Sequence, residues 1–266
     1  MPKINYRQSN APPRPTGLRA FLDDRPQLPY LIPFMAFVAI MLPANFGNFA
    51  GIDWKKLWHT YTPLVYTAKT IVAAVLLYYC WRYYTPIHWG KKGGGWRTLR
   101  WGLLAGLIGT PLWILTEYAA QHLGIVKLPD PAEIYNPFNE LAGVWGGAAV
   151  WTFLFIRIAG PTLVVPIFEE LFFRDFLMRA LIRGARFQDV PVATFTWFSF
   201  LGTAILFGLN HGIPPAGGWP QGILYGLLMG YLLIRTKSLG ACIFAHGVTN
   251  LTLYLYVIYA HDWQFM

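Results

Sequence analysis

The sequence predicts an all-α fold, a polytopic transmembrane helix bundle of about eight helical segments. Three observations lead there. The 266 residues are 55% hydrophobic and only 12% charged, whereas a soluble domain carries about 25% charged residues. The mean hydropathy is +0.40. Apolar runs near the length needed to cross the hydrocarbon core, about 20 residues, recur along most of the chain.

The expected segments are Leu28–Phe49, Pro63–Tyr84, Leu99–Ala120, Leu141–Ile158, Thr162–Ile182, Val192–Leu209, Gln221–Ile234 and Leu239–Tyr259. The fourth and seventh are short, so either could be partly re-entrant. Residues 1–27 are expected to be a mobile cytoplasmic tail, rich in Pro and basic residues and without the early apolar core of a signal peptide. Residues 28–266 form the membrane-embedded domain. No internal repeat is evident, nor any alternation suggesting a β-barrel. Cys80 and Cys242 lie in apolar runs without metal-like spacing and read as small buried residues.

The net charge of +9 does not point to nucleic acid. The basic residues cluster between apolar runs, where the positive-inside rule places them and where anionic lipid headgroups attract them. Lys3, Arg7, Arg14, Arg19 and Arg25 should keep the N-terminus cytoplasmic. Lys91, Lys92, Arg97 and Arg100 assign the loop between the second and third spans to the same side. Arg183 with Arg186, and Arg235 with Lys237, look cytoplasmic too. Asp130, Glu133 and Glu140, with only Lys127, assign the loop after the third span outward. These placements conflict if Leu141–Ile158 and Thr162–Ile182 both cross fully. One segment should then cross incompletely, or one cluster should break the rule. Gly160-Pro161 separates these two segments, and Pro166 should bend the second.

Chemistry concentrates in three places. The first is Phe168-Glu169-Glu170-Leu171-Phe172-Phe173-Arg174. Ionisable residues in an apolar span are costly and mark function by default. Glu170 and Arg174 are four apart and share a helical face, so the arginine can neutralise and fix that carboxylate. Glu169 lies about 100° around the helix, free to serve as a base. A carboxyl group taken out of water holds its proton more tightly, and a general base works best near the working pH. The competing reading makes Glu169, Glu170, Arg174, Asp175 and Arg179 solvated charges at a helix end.

The second place is Phe207-Gly208-Leu209-Asn210-His211, where Gly212, Pro214 and Pro215 stop the helix. His211 could equally be a cap or an interface anchor. The third is His246-Gly247-Val248-Thr249-Asn250. His246 and Asn250 share a face. An Asn amide can bond a developing oxyanion, or the pair could bond between helices. His59, His88, His122 and His261 lie in loops or at ends and suggest no chemistry.

Taken together, Glu169-Glu170-x-x-x-Arg174, Phe207-x-x-x-His211 and His246-x-x-x-Asn250 resemble the motif set of the CAAX protease and bacteriocin-processing family, also called CPBP or Abi. Order and internal spacing match over roughly 159–260. The resemblance implies an intramembrane endopeptidase, a hydrolase related to the type II CAAX prenyl endopeptidase, acting on a membrane-associated protein or peptide. It implies Glu169 as the base activating water with help from His211. His246 and Asn250 would stabilise the oxyanion, and Glu170 and Arg174 would orient the site. A CAAX-type glutamate protease needs no metal. In a metalloprotease, Glu169, His211 and His246 could ligate a divalent metal such as zinc. The compact size suggests a bacterial protein of the inner (plasma) membrane, and an exosortase-associated role is one placement. Two other functions compete. One is a proton-coupled transporter whose polar path would extend through Glu117, Lys69 and Arg157. The other is a non-catalytic scaffold of the same fold.

Overall fold

The computed structural model describes residues 17–40, 48–49, 52–89, 95–131 and 134–266. Lys3, Arg7, Arg14, Lys91, Lys92 and Glu133, on which part of the expected orientation rests, lie outside them. The helices are α1 (Leu18–Asp23), α2 (Leu28–Ala39), α3 (Trp54–Cys80), α4 (Gly95–His122), α5 (Pro137–Trp145), α6 (Gly147–Ala159), α7 (Val165–Glu170), α8 (Met178–Arg183), α9 (Trp197–His211), α10 (Trp219–Thr236) and α11 (Leu239–Ala260). Two-residue strands, β1 (Asn48–Phe49) and β2 (Ile52–Asp53), pair antiparallel before α3. The fold is an all-α membrane bundle. Among the described residues, four helical stretches are long and apolar enough to span: Tyr61–Tyr83, Gly95–His122, Gly147–Asp189 and Leu239–Ala260. Their outer faces are apolar; Tyr78 is 85% exposed and Phe155 73%. In water such a surface would be an interaction patch, and in a bilayer it faces acyl chains.

Three expectations change. The run from 28 to 49 is not one span, because α2 stops at Ala39. Within the expected tail, 18–23 is helical with Leu22 buried. Most importantly, the segments expected at 141–158 and 162–182 are not separate crossings. The short α5 ends at Gly146, whose φ of 80° only glycine adopts easily. From Gly147 the chain then runs as one helical body through α6, α7 and α8. Gly160 and Pro161 do not break it. They sit in a wide π-helical turn, Gly160–Val164, which lets the helix pass a proline without ending.

That continuity removes the conflict in orientation. One set of contacts gathers the loops at one end of the bundle. Ser238 donates to the His88 carbonyl at 2.6 Å, Lys237 to the Ala193 carbonyl at 3.0 Å, and Thr85 to Asp175 at 3.0 Å. Another set gathers the opposite end. The Lys127 amide donates to the Pro215 carbonyl at 2.9 Å, and Gln121 to Gln264 at 3.0 Å. With a single crossing between 147 and 183, the loops carrying Arg97, Arg183, Arg186, Arg235 and Lys237 all fall at the first end. The loop with Asp130 and Glu140 falls at the second.

Two glycine stripes close the bundle. A Cβ on Gly102 would come within 3.0 Å of the Ala241 carbonyl, and one on Gly106 within 2.7 Å of the Ala245 carbonyl. The four-residue spacing therefore seats α4 against the backbone of α11. Gly222 and Gly226 do the same for α10 against Gly208 and Ala204 of α9. Between membrane helices, where hydrophobic driving force is weak, small residues win contact by letting backbones approach. Glu117 then fastens the second end. It accepts from Gln121 at 2.8 Å, from the Gly218 amide at 3.2 Å and from Gln221. Lys69 and Arg157 both stand against the Tyr66 ring; Lys69 is within electrostatic reach of Glu169, and Arg157 donates to the Met266 carbonyl at 2.6 Å.

Gly106→Ala should overpack the α4–α11 contact and cost about 1–3 kcal/mol. The check is the melting temperature of purified protein beside Gly143→Ala, where a Cβ meets nothing within 4 Å. Equal melting of the two variants would contradict the close approach.

Candidate active site

Glu169 and Glu170 end α7, between the π turn at 160–164 and a second π segment, Leu171–Leu177. Such wide turns often mark functional sites in helices. The first has a sequence cause. The Val165 amide reaches back to the Gly160 carbonyl. Pro166, one step on, has no N–H to offer the Pro161 carbonyl. A buried carbonyl needs a donor, and Asn250 supplies it: its Nδ2 donates to Pro161 at 2.7 Å. Gly247 permits the approach, since a Cβ there would lie 2.7 Å from the Thr162 carbonyl.

Glu170 is fully buried. One carboxylate oxygen lies 3.2 Å from Arg174 Nε, and the other accepts from His246 Nδ1 at 2.9 Å. The Arg174–Glu170 contact is an ion pair rather than a well-aligned hydrogen bond, because both of its atoms lack a partner in hydrogen-bond geometry. Arg174 also rests over the Phe207 ring at 4.5 Å and reaches the Gly226 carbonyl at 3.5 Å. A buried charge is tolerable when paired in this way.

His246 gives Nδ1 to Glu170, so Nε2 is its other face. That atom lies 3.8 Å from Glu169 Oε2, beyond hydrogen-bond reach. Glu169 Oε2 is buried without any hydrogen-bond partner, a condition that in native structures calls for an explanation. Tyr225 walls the imidazole at 5.5 Å and donates to Thr249 at 3.1 Å.

His211 closes α9. Its Nδ1 lies 2.8 Å from the Phe207 carbonyl. A carbonyl only accepts, so Nδ1 carries the proton and Nε2 is left basic. The Phe207-x-x-x-His211 spacing thus fixes the tautomer through the helix's own backbone. The Phe207 ring lies 4.5 Å from His211 and 6.1 Å from His246. Trp113 packs on His211 at 5.1 Å. His211 is within electrostatic reach of Glu169 and His246.

The structure therefore brings Glu169, Glu170, Arg174 and His246 into direct contact. It joins His211 to them through Phe207, and attaches Asn250 to the π turn beneath them. One Asn250 N–H is used there and the second remains available. Asp175 and Arg179 are not solvated helix-end charges. Both are buried and paired with each other, and Asp175 accepts from Tyr30 and Thr85 at 3.0 Å. The sequence assigned no role to Tyr225 or Thr249 and read Pro161 only as a break between segments, because their roles depend on contacts between distant helices. Both imidazoles are oriented through Nδ1, as metal-ligating histidines commonly are. Even so, among the described residues no group of three His, Cys, Asp or Glu side chains converges closely enough to hold a metal ion.

Arg174→Ala would leave the Glu170 carboxylate buried without its cation. Breaking such a pair costs about 3–5 kcal/mol. Thermal unfolding of the purified variant should show that loss before any activity is measured. An unchanged melting temperature would mean that Glu170 does not depend on Arg174.

Residues 150–252 match a family model described as type II CAAX prenyl endopeptidase Rce1-like. No curated protein and no solved structure matches the chain.

Proposed function

We propose that the chain, whose residues 150–252 match the Rce1-like family model, is a CAAX-type protease that hydrolyses a peptide bond with water activated by Glu169. The observation that carries this is the buried Glu169 carboxylate oxygen, without a hydrogen bond and 3.8 Å from His246 Nε2. A water or a scissile carbonyl that bridges these two atoms from one side meets the carboxylate base and the imidazole together.

The roles follow from the contacts. Glu169 takes a proton from the water as its oxygen attacks the carbonyl carbon, with His211 Nε2 as the neighbouring acceptor. When doubly protonated, His246 gives Nδ1–H to Glu170 and can give Nε2–H, with the second N–H of Asn250, to the charge that develops on the carbonyl oxygen; such donors are worth most where water is excluded. In the collapse step the proton on Glu169 passes to the amine as the C–N bond breaks. Glu170 holds His246 by Nδ1, and Arg174 holds Glu170, so neither needs to touch substrate. No step in this scheme requires a metal. The substrate is a membrane-associated protein or peptide. By the positive-inside rule, the end carrying Arg97, Arg183 and Arg235 faces the cytoplasm of a bacterial inner membrane, with the N-terminus on that side.

Glu169→Gln should abolish cleavage while the protein still inserts. Peptide ends in the membrane proteome of wild-type and chromosomal Glu169→Gln strains provide the test. Ends unique to wild type would establish proteolysis and identify the substrate. Identical ends at equal expression would favour the transporter or scaffold. With a substrate in hand, dialysis against 1,10-phenanthroline and treatment with a serine-directed phosphonate should both leave the cleavage rate intact. A chelator-sensitive rate restored by zinc would replace the glutamate mechanism with a metal one.

A further inference from the structure

Away from the glutamates, α4 and α10 leave a cavity of ≈ 530 Å³ between them. It opens at the end of the bundle that carries the basic loops. Its walls are two helical stripes running in opposite directions. On α4 the stripe is Arg97, Trp101, Leu104 and Ile108; on α10 it is Arg235, Tyr231 and Leu228. Read from the mouth inward, both stripes pass from cation to aromatic to aliphatic. The glycine stripes lie on other faces: α4 turns Gly102 and Gly106 to α11, and α10 turns Gly222 and Gly226 to α9, while at the floor of the groove Leu228 packs on the core.

We propose that this groove binds one anionic phospholipid, its phosphate at Arg97 and Arg235 and an acyl chain along Leu104, Ile108 and Leu228. Three features select that ligand. The mouth holds Arg97, Arg235 and Lys237, and no carboxylate lines the cavity. Neither Arg97 nor Arg235 forms a salt bridge among the described residues, and Arg235 rests over the Tyr231 ring at 6.0 Å. Lys237 uses one of its three donors on the Ala193 carbonyl.

The dimensions also fit. From Arg97 to Ile108 a helix rises about 16 Å, close to one leaflet of a hydrocarbon core about 30 Å thick. Trp101 and Tyr231 stand at the level where amphipathic rings settle beneath headgroups. Basic pockets between membrane helices at the cytoplasmic side favour anionic headgroups for this reason. A zwitterionic lipid would set its own cation against the three basic side chains. The inference depends on residence in a bilayer and not on peptide hydrolysis.

Native mass spectrometry of the full chain, titrated with dioleoyl phosphatidylglycerol or dioleoyl phosphatidylcholine, tests it. The first phosphatidylglycerol should bind about tenfold or more tightly than phosphatidylcholine. Arg97→Gln with Arg235→Gln should bring the ratio near one. Both side chains are exposed, so the variant should melt as wild type does in the absence of lipid. Arg183→Gln with Arg186→Gln, at the same end but outside the groove, should keep the preference. A wild type without preference, or a preference that survives loss of Arg97 and Arg235, would overturn the assignment. So would equal loss in the Arg183/Arg186 variant, which would mean a diffuse surface effect. The single Arg97→Gln is the milder variant and should lower the ratio about fivefold.

Discussion

Everything near the site depends on the Glu170 carboxylate being placed where neither water nor lipid headgroup can solvate it. A charge there must be compensated within the protein. Arg174 does so from one turn along the same helix, and His246 from α11. The second contact is the more consequential. It ties the long helix to the last one and sets the orientation of an imidazole in the same bond. Arg174 in turn needs Phe207 and the Gly226 carbonyl, so α9 and α10 are held by the same charge. Four helices are thus organised around one carboxylate.

Backbone irregularity next to the glutamates is the other half of that arrangement. Pro166 removes a donor, the Pro161 carbonyl is left without a partner, and Asn250 supplies one. Asn250 therefore has a structural duty that is independent of any charge on a reacting group. The widened turn also changes the rotation at which Glu169 and Glu170 leave the helix relative to α6. Adjacent glutamates point to different surroundings: one is enclosed by Arg174 and His246, the other is left without a hydrogen bond.

How much of this the sequence disclosed follows from the range of each interaction. The membrane bundle was legible because it depends on composition and run length. The nearness of Arg174 to Glu170 was legible because one helical turn determines it. His246 as the partner of Glu170 was not, since 76 residues separate them and only packing joins them. The break expected at Gly160-Pro161 illustrates a different difficulty. Glycine and proline do usually end helices, but a π turn can absorb a proline when another helix supplies the missing donor. That donor lies 89 residues away. The four-residue glycine spacings in α4 and α10 were visible in the sequence and describe the helix contacts well; they carry packing rather than chemistry, so a search for reactive groups passes over them.

Helix length also bears on how a peptide could reach the glutamates. The 15 residues of α9 and the 18 of α10 rise about 22 and 27 Å, less than a hydrocarbon core of about 30 Å. A helix of the first length that starts at one boundary ends inside the apolar layer, and α9 ends with His211. The loop that follows, Gly212–Gly218, is then drawn in from the second end and fastened there by Glu117 through the Gly218 amide and Gln221. Glu117 is therefore better understood as the anchor of that loop than as a station on a proton path. Lys69 and Arg157 share the ring of Tyr66, whereas the ties of Glu117 run to α10. The buried charges are thereby divided among local tasks: Glu117 anchors a loop, Asp175 and Arg179 fasten the opposite end, and Glu170 with Arg174 holds an imidazole. Glu169 is the carboxylate whose oxygen has no such task.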